Sequence, residues 1–76
     1  MTWEMCKAFG YVEIRESTVV LFYDKFDYRL IVVPDLYMTI YSALWQGNNL
    51  LVNGYDAYGI RRVYLYSGFD HYQQVN

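Results

Sequence analysis

Two arginines and two tyrosines near the end of the chain have the types and spacing that could bind nucleic acid: Arg61, Arg62, Tyr64 and Tyr66. Because side chains on a strand alternate between its faces, Arg62, Tyr64 and Tyr66 would share one face. A basic side chain beside aromatic rings on a sheet can stack the bases of single-stranded RNA or DNA. The chain has only six basic residues and a net charge of −2, however, so phosphate neutralisation would contribute little affinity. A small single-stranded nucleic-acid-binding protein is therefore the alternative function, and nucleic acid is not the partner that we expect.

Residues that could catalyse a reaction or hold a metal are few and scattered. His71 is the only histidine and Cys6 the only cysteine, at opposite ends of the chain, whereas zinc sites need clustered ligands. Asp24 and Asp27 flank a predicted hairpin loop and could approach each other, but loop aspartates usually form turns. We therefore predict no catalytic, cofactor or metal site, and we expect the chain not to be an enzyme.

A further set of side chains, Tyr37, Tyr41 and Trp45, recurs at every fourth position. At the helical period of about 100° per residue these rings form one row beside an apolar stripe that would face the core. The combined apolar arc is about 220° wide, more than twice the ~100° that a one-sided surface helix buries. Either the strand 60–66 or the N-terminal segment folds over this row, or a partner protein covers it. In the second case Trp45 and Tyr41 are the expected anchors.

The elements that would position these residues are short. Alternating or continuous apolar patterns predict five strands, at residues 9–16, 18–23, 28–33, 50–52 and 60–66. Pro34-Asp35 and Gly47 are typical of the start and end of a helix over 35–46. Turns are predicted at Glu16-Ser17 and Asn53-Gly54. Three segments stay open: 2–8 is a short helix or a strand, 55–59 is a strand or a loop, and 69–76 is a tail of uncertain order.

The order β-β-β-α-β-β predicts a single α+β domain over residues 1–76. Its expected architecture has two layers, an antiparallel sheet of four to five strands with the helix 35–46 across one face. Strands 18–23 and 28–33 are apolar on both faces, which indicates cover on both sides. Because one helix covers only one face of a sheet, a partner is expected on the other.

The composition favours a protein-binding function. Ten tyrosines and two tryptophans in 76 residues exceed what a small core can bury, and both residue types are enriched at interfaces. We predict a non-catalytic interaction module that forms a homodimer and docks on a larger protein, as small accessory or inhibitor proteins of phages and viruses do by analogy of size. Arg61 and Arg62 would orient the partner at the rim. The expected interaction residues are Tyr37, Tyr41, Trp45, Arg61, Arg62, Tyr64 and Tyr66.

The location of the protein is predicted from its apolar runs and its cysteine. No apolar run reaches the ~18 residues that cross a membrane, so no membrane contact is expected. A single free thiol fits a reducing compartment. The expected location is cytoplasmic.

Overall fold

One α-helix and seven β-strands follow one another within residues 2–76, the part of the chain that the computed structural model describes. Their order is α1 (Trp3–Phe9), β1 (Val12–Arg15), β2 (Thr18–Phe22), β3 (Tyr28–Leu30), β4 (Thr39–Gln46), β5 (Asn49–Tyr55), β6 (Arg61–Tyr66) and β7 (Tyr72–Gln74). Strands β1 to β3 form one antiparallel sheet, and β4 to β7 form a second. The predicted α+β class, with antiparallel strands and one helix, is confirmed. Within residues 2–76 no helix is long and apolar enough to span a membrane.

The helix α1 lies near the N-terminus, at Trp3–Phe9. Of the two alternatives for residues 2–8, a short helix or a strand, the helix is therefore correct. The Thr2 side chain accepts a hydrogen bond from the Met5 N–H at 3.2 Å and caps the first turn. Gly10 ends the helix with φ 82°, and its N–H donates to the Cys6 carbonyl. Trp3 and Cys6 form the buried face. Because seven residues are too short to be helical alone, this packing stabilises α1.

The helix predicted over 35–46 is wrong, because residues 39–46 form strand β4. A β-bulge explains why the strand period is hard to see: the register shifts between Ile40 and Ser42. The inward-facing residues are therefore Met38, Ile40, Ala43 and Trp45. They follow one another at every second position, except that three positions separate Ile40 from Ala43 at the bulge. The β-branched and aromatic side chains of Thr39, Ile40 and Tyr41 suit a strand.

Two glycines have roles different from those that the sequence predicts. Gly47, expected to end a helix, is the first residue of the two-residue β4–β5 turn and has φ 59°. Gly54, expected in a turn, lies inside β5 opposite Ile40. A Cβ atom on Gly54 would lie 2.7 Å from the Thr39 carbonyl oxygen, so only glycine fits this close pairing.

The remaining turns follow the expected residue types. The predicted Glu16-Ser17 turn is confirmed, because Arg15 pairs with Thr18 across it. The β5–β6 turn is formed instead by Asp56 to Gly59, which answers the open choice for 55–59. The strands predicted before residue 34 are present in shorter form, those predicted at 50–52 and 60–66 lie within or close to β5 and β6, and the C-terminal tail contains β7.

The predicted single sheet is divided in two because the chain changes sheets after β3. The Ile31 N–H still donates to the Val19 carbonyl in the first sheet, but the Val32 N–H donates to the Phe69 carbonyl beyond β6, at 2.8 Å. At the opposite side the Ile40 N–H donates to the Glu16 carbonyl. These two seams hold the sheets face to face, and the second sheet takes the place of the expected covering helix. Between them lies the core, which contains Trp3, Cys6, Val19, Leu21, Ile31, Met38, Ile40, Leu50, Val52, Tyr64, Tyr66 and Phe69.

Candidate protein interaction surface

The Arg/Tyr face of β6 faces the core. Arg62, Tyr64 and Tyr66 share one face, as alternation predicts, but Tyr64 is only 9% exposed and Tyr66 is fully buried. The Tyr66 hydroxyl donates to the Val32 carbonyl at 2.7 Å, and burial raises the pKa of this hydroxyl. Arg62 forms an ion pair with Asp56 at 3.1 Å. The rings are therefore not open to bases from solution, which removes the geometric support for a nucleic-acid platform here.

The predicted aromatic row is divided between three environments. Tyr37 lies in the loop before β4 and is 78% exposed. Tyr41 lies on the outer face of the second sheet and contacts the Tyr55 ring, with centroids 5.3 Å apart. Trp45 faces inward and packs edge-to-face on Trp3, with centroids 5.1 Å apart. The bulge causes this division, because it places Tyr41 and Trp45 on opposite faces of one strand.

The outer face of the second sheet is formed by side chains from all four of its strands. Strand pairing arranges its side chains in four rows across the strands. In order along the sheet these rows are Tyr41, Tyr55 and Arg61; Ser42, Asn53, Val63 and Val75; Leu44, Leu51, Leu65 and Gln73; and Gln46, Asn49, Ser67 and His71. We call these residues together the leucine face.

The leucine face contains almost no charge. Strands β4 to β7 contain only two charged side chains, Arg61 and Arg62, and residues 36–55 contain none. Leu44 is 60% exposed, and Leu51 and Leu65 beside it are partly exposed. An apolar row without charged side chains over it is typical of an interaction surface rather than of a solvated sheet face.

One end of the leucine face has a positive charge without an acidic neighbour. Arg61 donates from Nε to the Tyr41 hydroxyl at 3.2 Å and from a terminal nitrogen to Asn53 Oδ1 at 3.3 Å. Both acceptors are neutral, and Arg61 forms no ion pair with any residue between 2 and 76. The guanidinium is therefore held in place with its charge available to a partner.

The other end has an open pocket and a negative charge. The pocket has a volume of about 310 Å³ and is lined by Asn49, Leu65, Ser67, His71, Tyr72 and Gln73. Beside it, the Asp70 carboxylate lies 2.9 Å from His71 Nδ1, and the Asp70 side chain is 70% exposed. The lining groups are mostly amides and hydroxyls, which can accept a polar side chain.

The outer face of the first sheet combines aromatic, aliphatic and charged side chains. The rings of Tyr11, Phe22 and Tyr28 form a ladder with centroid spacings of 5.2 and 5.5 Å. Arg15 forms an ion pair with Glu13, and its guanidinium lies 5.6 Å from the centre of the Tyr28 ring. The register places Val20 beneath this path, and Val20 is fully buried. The chain's own side chains thus bury Val20, while Tyr28 and Leu30 on the same face are each 50% exposed.

The two aspartates of the β2–β3 loop form hydrogen bonds within that loop, and the cysteine is buried. Asp24 Oδ1 accepts the N–H groups of Phe26 and Asp27, and these bonds lower the pKa of Asp24. The pKa of Asp27 is raised, because its carboxyl hydrogen-bonds to Asp24 and faces the Asp24 charge. Burial raises the pKa of the Cys6 thiol. Among residues 2–76 no three His, Cys, Asp or Glu side chains are grouped closely enough to hold a metal ion.

Of the residues in the leucine face, Tyr41 and Arg61 are predicted from the sequence as interaction residues, whereas Leu44, Leu51 and Leu65 are not. The available signal was the absence of charge from residues 36–55, which a helical interpretation assigned to a wide apolar arc. Comparison of the chain with models of protein families, with curated proteins and with solved structures gives no match.

Proposed function

We propose that this chain is a non-catalytic protein–protein interaction module that binds its partner through the leucine face. The observation that carries the proposal is the row Leu44, Leu51 and Leu65, which lies open on a sheet with no acidic or lysine side chain. Leaving such a row in water costs about 25 cal/mol for each Å² of apolar surface, and association recovers part of this free energy. The accessory or inhibitor role that we infer from the small size of the chain belongs to the same proposal.

The rim of the leucine face supports the proposal independently. Tyr41, Tyr55 and Arg61 lie together at one end, and tyrosine and arginine are over-represented among residues that dominate binding energy. Hydrogen bonds already hold the Arg61 side chain in one orientation, so little conformational entropy is lost on binding. Trp45, our first anchor candidate, supports the face from below as part of the core.

The experiment that tests the proposal is site-specific photo-crosslinking. A photoreactive phenylalanine analogue replaces Leu44 in one variant and Leu30 in a control, in cells that express the protein. Both leucines lie on strands and are at least half exposed, Leu44 at 60% and Leu30 at 50%. We expect a discrete protein adduct from the Leu44 variant and none from the Leu30 variant.

The mass of the adduct identifies the kind of partner. An adduct at twice 9.1 kDa indicates a second copy, and a heavier one indicates a larger protein. Equal adducts from both positions, or none from Leu44, would show that the leucine face is not a specific binding surface.

A further inference from the structure

We infer that the occupant of the leucine face is a second copy of this chain, packed face to face with its strands reversed. The inference rests on the proposed function, since it names the partner of the same surface. It is carried by the opposite charges at the two ends of the face, Arg61 at one end and Asp70 at the other.

The two charges lie at opposite ends of strand β6. Arg61 begins β6 and Ser67 follows its end, so about 20 Å separates them at ~3.3 Å per residue. Ser67 pairs with His71 across the β6–β7 turn, which contains Asp70. The apolar row that includes Leu65 lies between the two ends.

A two-fold axis that lies between two stacked faces and runs across the strands reverses the strand direction. The Arg61 end of each copy then lies over the Asp70 end of the other, which forms the same ion pair twice. The row that contains Leu65 in one copy lies over the row that contains Val63 in the other. An axis parallel to the strands would instead bring the two Arg61 side chains to the same end, where like charges repel.

The pocket at the far end fits this arrangement. Its lining includes the side chains of Asn49, Ser67 and Gln73, which offer amide and hydroxyl oxygens. The guanidinium of Arg61 from the second copy would lie at the mouth of this pocket, next to the Asp70 carboxylate, and donate the N–H groups that Tyr41 and Asn53 of its own face leave free. Each copy therefore provides both an arginine and a pocket that receives the arginine of the other copy.

The size of the face predicts how strong the dimer is. Four strands about 4.8 Å apart and about seven residues long give a projected area of about 450 Å², below the ~800 Å² per partner of standard complexes. We therefore expect a dissociation constant in the micromolar range or weaker, and a reversible monomer–dimer equilibrium.

The test is sedimentation equilibrium of the full chain, from about 10 μM to about 1 mM because the dimer is expected to be weak. The mass should rise from 9.1 kDa towards twice that value. Arg61→Asp and Asp70→Arg should each weaken association on the order of 30-fold by placing like charges together. The double variant should recover wild-type association within about three-fold, because it restores the opposite charges.

A matched control removes the effect of net charge. Lys25→Asp makes the same change of charge as Arg61→Asp, at the exposed hairpin of the first sheet, and should leave association unchanged. If Arg61→Asp disturbs the fold, Asp70→Arg still tests the pairing, because the Asp70 side chain is 70% exposed.

Three results would overturn the inference. The first is a mass that stays at 9.1 kDa at all concentrations; a heavier crosslinked adduct from Leu44 would then still support the proposed function with a different partner. The second is a dimer that neither charge reversal weakens. The third is equal weakening by Lys25→Asp and Arg61→Asp.

Discussion

The two outer faces of this domain meet water in different ways. On the first sheet, Arg15 forms an ion pair with Glu13 and its guanidinium lies 5.6 Å from the centre of the Tyr28 ring, so charged side chains lie among the apolar ones. On the second sheet no long charged side chain covers Leu44, Leu51 and Leu65. Both faces expose apolar side chains, since Leu30 is 50% and Leu44 is 60% exposed, but within residues 2–76 only the first sheet has an arginine–carboxylate ion pair on its outer face.

The largest expected effect is on the pairing of β4 with β5, which forms part of the leucine face. Gly54→Ala places a Cβ atom 2.7 Å from the Thr39 carbonyl oxygen and 2.9 Å from the Met38 methyl group. We expect a loss of about 2–3 kcal/mol in the free energy of unfolding, because the backbone of β4 must move. Urea denaturation followed by circular dichroism measures it.

Gly47→Ala is the control for this change. Gly47 has a positive φ of 59°, but no atom lies within 4 Å of an added Cβ. Its cost should be about 1 kcal/mol, the strain of a left-handed residue alone. Equal losses for the two variants would mean that the close approach at Gly54 is not under steric constraint.

The next variant weakens the contact between the two sheets and leaves the side chains of both outer faces unchanged. Tyr66→Phe removes the hydrogen bond from the Tyr66 hydroxyl to the Val32 carbonyl. We expect a loss of about 1 kcal/mol, because the folded protein loses one hydrogen bond made by a buried tyrosine. Photo-crosslinking from Leu44 should be unchanged in the folded variant. A reduced adduct would show that the leucine face depends on the contact between the sheets.

An effect of similar or smaller size compares the two faces directly. Arg15→Ala uncovers the Tyr28 ring, and we expect a loss of about 1 kcal/mol. Leu44→Thr removes apolar surface from a side chain that is already 60% exposed to water in the folded protein. The loss in the free energy of unfolding should therefore stay within about 0.5 kcal/mol. Thermal unfolding of both variants measures the difference. The reverse order would contradict the contrast between a face on which a charged side chain packs on apolar ones and a face on which none does.

The smallest expected effect is on how the free energy of unfolding depends on acidic pH. The N–H groups of Ile60 and Tyr58 and the nearby Arg62 outweigh burial and hold the pKa of Asp56 below its usual range. A lowered pKa in the folded state stabilises the fold above the unfolded pKa of about 3.9, and this contribution is lost as pH falls through the folded value. Unfolding free energies between about pH 5 and pH 2 should therefore decrease, less steeply for Asp56→Asn.

Asp24→Asn gives the corresponding measurement beside the first sheet. Asp24 has a lowered pKa but Asp27 a raised one, so their contributions to the pH dependence have opposite signs. This variant should change the slope less than Asp56→Asn. A larger change would mean that the hairpin of the first sheet dominates the acid response.

The parts of the fold that sequence predicts are those where local pattern and tertiary packing agree. The alternation of Val12 and Ile14 and the turn at Glu16-Ser17 correctly indicate the first hairpin. Residues 39–46 defeat the same reasoning, because one bulged residue turns a strand pattern into an apparent helix. The candidate face depends on pairing between strands as distant as Leu44 and Leu65, and this pairing leaves no local pattern.

The hydrogen bond from the Trp3 indole N–H to the Asn48 carbonyl, at 2.7 Å, joins residues 45 positions apart. During synthesis α1 leaves the ribosome before the β4–β5 hairpin, so its docking site does not exist until that hairpin has been made. A seven-residue helix is unstable alone, so α1 becomes ordered only after β4 and β5, although it is translated before them. Tryptophan fluorescence, which reports Trp3 and Trp45 in contact, should therefore follow this docking step.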